Sequence, residues 1–376
     1  MNRREQLHED GIVILINLSS IMVGLDVLLL NPRLMFTILI LFVAVAVSAC
    51  VSQIPPASTI PPTPVMTTTK IAFIPLLSNG PLFIAKEEGY FAQEGINVEF
   101  EKFQSVAASL PALINGDIAV TGGPLMPGII NSVAKNASVR IVAEKGKIAR
   151  DYCNVTAIVV RRDLFETGII NNVADLKGRK VMATSDQQYT LFRSLALGNL
   201  TTDDVEIIEM DYPSSLLSLK NQAIDAGILT EPYITQAVNS GAGVVLVPAQ
   251  DYIPDFPYLL YYGPAILDKD PELGKRFMVA YLKGVKQYNT GKTERNLEIL
   301  QNYTKLDRDF LRQSCWVKIE ENGSVSEIAV REYMDWMYAN KKITKSLDDD
   351  QLFDMSYVNY ANGVLANTTQ SGYSTK

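Results

Sequence analysis

The stretch NGPLFIAKEEGYFAQEGINVEF (79–100) decides the reading of this chain. Asn-Gly-Pro brings a strand into a tight turn, and proline suits the first positions of a helix. LFIAKEEGYFAQEG then carries apolar residues at helical spacing, and INVEFEKF (96–103) alternates as a strand does. The buried-strand pattern KIAFIPL (70–76) precedes it. Strand, turn, helix and strand form a βαβ unit and predict a parallel sheet. A helix entered from such a turn has unpaired amides at its start, where open α/β sheets hold ligands.

The rhythm continues outward. SVAASLPALINGD reads as a helix, IAVTGG as a short strand ending in glycines, PGIINSVAKNA as a helix, and VRIVAEKG and VTAIVVRRD as strands. A second cycle runs through VADLKGRKVMATS, QQYTLFRSLALGNL, VEIIEM, PSSLLSLKNQA, IDAGILTEP, YITQAVNSGA and GVVLVP. NGDIAVTGG (115–123) and QAIDAGILTEP (222–232) correspond loosely, as they would in two similar lobes with a cleft between them. After YLLYYGPAIL (258–267) the pattern turns helical, with aromatics at core spacing.

Two apolar runs, 11–30 and 34–49, come before Cys50. VSAC resembles the lipobox of secreted lipoproteins, with Cys50 the lipid-bearing residue after cleavage; a retained transmembrane anchor is the alternative, and Met22 and Met35 are alternative starts. VSQIPPASTIPPTPVMTTTK is an extended Pro/Thr linker. The expected division is therefore 1–49 signal or membrane segment, 50–69 anchor and linker, 70–160 first part of lobe I, 161–257 lobe II, 258–365 return to lobe I, and 366–376 tail. Cys153 and Cys315 pair in a disulfide or stay as small buried thiols.

A net charge of −7 argues against nucleic acid. The one histidine is His8, inside the segment expected to be removed. That disfavours Ser-His-Asp, Cys-His and His-bearing zinc sites, and no phosphate-binding glycine loop of the P-loop kind is present. No catalysis, cofactor or metal is expected.

GPLFIAKEEGYFAQEGINVEF (80–100), ALINGDIAVTGG (112–123), VADLKGRKVMATS (173–185) and AIDAGILTEPYITQA (223–237) together resemble the solute-binding proteins of ABC importers of the nitrate/sulfonate/taurine (NMT1-like) type. The resemblance runs from about Lys70 to Gly363 and implies an α/β, two-lobed type II periplasmic-binding-protein fold with a helical C-terminal extension. It also implies a monomer that is lipid-anchored outside the cytoplasm, binds a small polar or anionic solute and delivers it to an ABC permease and its ATPase. A ligand-sensing receptor of the same fold and a binder of a thiamine-pyrimidine precursor are the alternatives.

The expected ligand-binding residues are Leu77, Ser78 and Asn79; Thr121, Gly122 and Gly123; Thr184, Ser185, Gln187, Gln188 and Tyr189; and Glu231. Each has a plainer reading. Ser78 and Asn79 suit a helix cap, Gly122 and Gly123 a turn needing positive φ, and Glu231 a hinge or surface carboxylate. Asp186 is unwelcome beside an anion, so it points away, caps a helix, or marks a cationic or neutral ligand. Lys145, Lys147, Arg150 and Arg193 are the unplaced cations.

Overall fold

The computed structural model describes residues 66–371. The expectations for the leader, for Cys50 and for most of the Pro/Thr linker lie outside the described residues. Along the chain run β1 (Thr67–Phe73), α1 (Gly80–Glu87), α2 (Tyr90–Gln93), β2 (Ile96–Lys102), α3 (Val106–Asn115), β3 (Val120–Gly123), α4 (Pro127–Val133) and β4 (Arg140–Ile148). Then come β5 (Thr156–Arg161), α5 (Arg162–Glu166), β6 (Lys180–Met182), α6 (Gln188–Ala196), β7 (Glu206–Ile208), α7 (Tyr212–Lys220), β8 (Ala226–Thr230), α8 (Tyr233–Asn239) and β9 (Gly243–Pro248). β10 (Phe256–Tyr262) is followed by α9 (Pro264–Leu267), α10 (Pro271–Tyr288), α11 (Glu294–Thr304), α12 (Arg308–Gln313), α13 (Glu327–Ala339), α14 (Asp349–Leu352) and α15 (Ser356–Ser371).

The strands make two sheets, ordered β2-β1-β3-β10-β4 and β7-β6-β8-β5-β9. β1 pairs in parallel with β2 and β3, whereas β10 runs antiparallel to β3 and β4. In the second sheet β6 is parallel to β7 and β8, and β5 is the reversed strand. Each sheet is therefore mixed, with one reversed strand supplied by a crossing from the other half of the chain. That crossing corrects the expected division: β5 belongs to the second sheet, so lobe I ends between Ile148 and Thr156 rather than after residue 160. The fold also begins slightly early, with β1 starting at Thr67 inside the expected linker.

Local chemistry accounts for these elements. The expected single helix after Asn79 is two, because Gly89 sits at φ 72 and turns the chain between α1 and α2. Ser105, Asp211, Asp270, Thr293 and Asp307 each accept an amide at a helix start. The unbroken apolar run of β5 is explained by burial on both faces. Ile158 and Val160 join one core layer with Leu191 and Leu195 of α6, and Ala157 and Val159 join the other with Ile234 and Ala237 of α8.

The first sheet and the C-terminal helices share a larger core. Phe83 of α1 stacks on Tyr303 of α11, with ring centroids 4.5 Å apart. Burying a ring of this kind contributes about 1.5–3 kcal/mol. The disulfide Cys153–Cys315 ties the first crossing to the segment after α12. Among the described residues no helix is long and apolar enough to cross a membrane.

Candidate functional site

A cavity of about 250 Å³ lies between the carboxyl ends of the two sheets, floored by the crossing strands. The floor is pinned by hydroxyls: Thr156 Oγ1 of β5 lies 2.7 Å from Tyr258 Oη of β10 and 2.8 Å from Thr230 Oγ1 of β8. Hydrogen bonding thus joins both crossings at the base of the site.

On the first lobe the wall includes Leu77, Ser78, Gly122, Gly123 and Lys145. Lys145 is 1% exposed, and its Nζ donates to Ser78 Oγ at 2.7 Å. Burial pulls its pKa down to about 7. The side chain arrives there through a β-bulge. Leu259 of β10 pairs with Glu144 and Tyr258 with Gly146, which leaves Lys145 opposite no partner. Gly122 makes room for it, since a Cβ there would lie 2.5 Å from Lys145 Cδ. At Gly123 a Cβ would lie 2.4 Å from Val106 Cγ2. Neither glycine adopts a positive φ, so close approach, not a left-handed turn, is their reason.

On the second lobe Thr184, Ser185, Asp186, Gln187 and Glu231 reach the cavity. Glu231 is buried; its Oε1 accepts from Thr235 Oγ1 at 2.7 Å and from the Cys315 amide at 3.1 Å. Burial raises its pKa. Its hydrogen bond to Cys315 links the second lobe to the segment packed on the first. Asp186 does not point away: it is half-buried at the wall, and burial, with Glu209 nearby, raises its pKa.

Four expected residues stand off the cavity wall. Asn79 is buried and donates Nδ2 to the Ile74 carbonyl at 2.6 Å, holding the turn. Thr121 Oγ1 lies 2.7 Å from Ser109 Oγ in the core. Gln188 is exposed. Tyr189 stacks on Tyr333 of α13, centroids 4.5 Å apart, and its hydroxyl accepts from Arg193 at 2.8 Å. Sequence reasoning missed Gln104, Ser105 and the Glu209–Met210–Asp211 loop, although both segments precede helices exactly as the chosen loops do. Of the unplaced cations, Lys145 reaches the cavity, whereas Lys147 pairs with Glu320 on the far side of the strand. Among the described residues no group of His, Cys, Asp and Glu side chains is set to hold a metal.

Two mixed sheets joined by two crossings and sharing one cavity define the two-lobed binding-protein architecture of the type II periplasmic kind. The chain belongs to the NMT1-like family, whose sequence profile matches residues 63–300. It is 24% identical to the bicarbonate-binding protein CmpA of Synechococcus over 195 residues, 47% of this chain and 43% of that protein. It is 25% identical to the taurine-binding periplasmic protein of Escherichia coli over 164 residues, 43% of this chain and 48% of that protein. The chain thus spans somewhat under half the length of these curated relatives. The periplasmic nitrate-binding protein NrtA from Synechocystis shares the fold with a TM-score of 0.66 at 19% identity, over 81% of this chain and 90% of that one. The desulfurization enzyme DSZB shares it too, with a TM-score of 0.60 at 13% identity over 79% of this chain and 99% of that one.

Proposed function

We propose that this protein is an extracytoplasmic solute-binding protein, lipid-anchored at Cys50, that takes a small anionic solute between its lobes and delivers it to an ABC permease and its ATPase. It acts as a monomer and performs no chemistry on the solute. The observation that carries the reading is Lys145: a buried ammonium at the cavity wall with a hydroxyl, and no carboxylate, as its hydrogen-bond partner. A buried charge left unpaired is costly, so the arrangement makes sense when an anion arrives to pair with it. Ser78, Gly122 and Gly123 beside it, and Thr184, Ser185 and Gln187 opposite, offer hydroxyl, amide and side-chain donors to the same solute. Contact with both walls favours the closed arrangement of lobes, which a permease can read. A sequence whose one histidine is His8 supports holding a ligand over acid–base catalysis.

The test is ligand-induced thermal stabilisation of the full chain with nitrate, bicarbonate, alkanesulfonates and taurine. A ligand at a hundred times its Kd adds about 2.7 kcal/mol to stability. We expect a shift of several degrees with at least one compound. It should disappear in K145M and weaken in the S78A/S185A double variant. A shift that survives both substitutions, or no shift with any anion, overturns the reading.

A further inference from the structure

α6 serves two cores. Leu191 and Leu195, one turn apart, pack in the core of its own lobe. Tyr189 and Phe192, on another face of the helix, pack against the core that the first lobe shares with the C-terminal helices. Their partners there are Tyr333 and Trp336 of α13. Tyr189 stacks on Tyr333 with centroids 4.5 Å apart and lies 5.1 Å from Trp336, and Phe192 lies 5.2 Å from the same indole. Phe256, where the second crossing enters β10, completes the cluster at 5.7 Å from Tyr189 and 5.3 Å from Tyr333. Tyr189 is 6% exposed and Tyr333 2%, so the two rings are shielded from water by the other lobe. Arg193, one turn on, donates to Tyr189 Oη at 2.8 Å and restrains the ring. The residues directly before α6, Thr184 to Gln187, are wall of the solute cavity.

We infer that Tyr333 and Trp336 of α13 are positioning residues for the solute: they latch α6, and with it the second lobe's cavity loop, so that the protein is already closed when empty. The geometry of the latch stands by itself, and its effect on affinity rests on the solute-binding reading. Tyr189, Phe192, Tyr333 and Trp336 lie off the cavity wall, so their contacts are made whether or not a solute is present. Swinging the lobes apart would carry Tyr189 away from Tyr333 and bring both rings into water. Aromatic pairs stabilise beyond the area they bury, so that separation is opposed by ring contact as well as by the hydrophobic effect. A solute that meets a closed protein has less closure to drive, and its apparent affinity scales with the fraction of molecules already closed.

The experiment is small-angle X-ray scattering of the full chain, empty and with saturating nitrate, propanesulfonate or taurine, beside calorimetric titration with the same probes. Phe192 and Trp336 are the half-buried members of the cluster. F192A and W336A therefore remove the latch from its two sides with least disturbance to either core, and W336F keeps a ring in place. Empty wild type should scatter as the closed structure does. F192A and W336A should have a larger radius of gyration when empty and the wild-type radius once a probe is bound, which a merely structural role would not produce. Both should bind that probe about tenfold more weakly, with W336F within about threefold of wild type. Should an alanine variant fail to fold, F192L and W336L keep apolar volume without the ring contact and carry the same expectations. If empty wild type scatters as an open form, or if the variants keep the wild-type radius or affinity, the latch is overturned and solute binding stands. If the variants open and no probe binds, the latch stands and the solute-binding reading falls.

Discussion

Lys145 Nζ donates to Ser78 Oγ at 2.7 Å, joining the bulge of β4 to the turn between β1 and α1. This contact places the one charged group of the first lobe's wall, and its energetics give the first prediction. The folded-state pKa of Lys145, about 7, lies below its ordinary 10.5. Between those values the unfolded chain holds the proton and the folded one does not, so stability of the empty protein rises with pH. The cost of burying the charge is fully present below pH 7. K145M should therefore stabilise the empty protein by about 1–3 kcal/mol near pH 6–7 and flatten the rise in Tm between pH 7 and 10. In the wild type, affinity for an anion should fall roughly tenfold per pH unit above 7, as binding requires the protonated amine.

Glu144, the preceding residue, shapes the acid side. It is 1% exposed, and burial pushes its pKa up from 4.5 to about 7, although its carboxylate accepts the Glu320 amide at 3.2 Å. Here the folded state holds the extra proton between pH 4.5 and 7, so stability falls as pH rises through that window. E144Q should remove that fall, raising Tm at pH 7 and above while leaving it unchanged near pH 4. Denaturant midpoints across pH for wild type, E144Q and K145M check both limbs, which together place a stability minimum near neutrality.

Gly122 is expected to matter for binding more than for folding. A Cβ there would lie 2.5 Å from Lys145 Cδ and 3.1 Å from the Leu259 carbonyl. The lysine arm can move and the carbonyl has less freedom, so G122A should cost about 1–3 kcal/mol of stability. It should also displace the ammonium from Ser78. Titration should show anion affinity reduced at least tenfold in a protein that still unfolds cooperatively.

The Cys153–Cys315 bridge closes a loop of 162 residues. Cross-links of that kind contribute about 2–4 kcal/mol. The C153S/C315S double variant should melt several degrees lower than the oxidised wild type, and reductant should lower Tm in the wild type alone. Cys315 also holds Glu231 through its amide, and that bond needs no sulfur. Ligand affinity should therefore change less than stability.

Much of the architecture was legible because burial on both faces of a sheet leaves apolar runs, and caps mark helix starts. Ser78, Gly122, Gly123, Thr184, Ser185 and Gln187 could be located in advance, since residues between a strand's carboxyl end and the next helix fall at the sheet edge. The same rule misplaced Asn79 and Tyr189, whose positions in the chain fit but whose side chains turn into the core. Spacing alone does not report which way a side chain turns within a short 3₁₀ turn or the first turn of a helix.

A return to lobe I at residue 258 was expected, but the reversed direction of β5 and β10 and the sheet that β5 joins were out of reach for a related reason. β5 and β10 follow their predecessors closely in sequence, yet each joins the sheet at the other end of a crossing. Local periodicity says that a segment is a strand, whereas its partner is chosen by which exposed edge is available once the other strands have paired.

From the amino-acid order alone came the alternating elements, the two cycles and the loops able to meet a ligand, because propensity, capping and hydrophobic period act over a few residues. Tertiary structure decided that Lys145 enters the cavity while Lys147 leaves it. A strand's two faces are interchanged by a one-residue shift, and the bulge against β10 that sets the shift exists only when the two strands are paired.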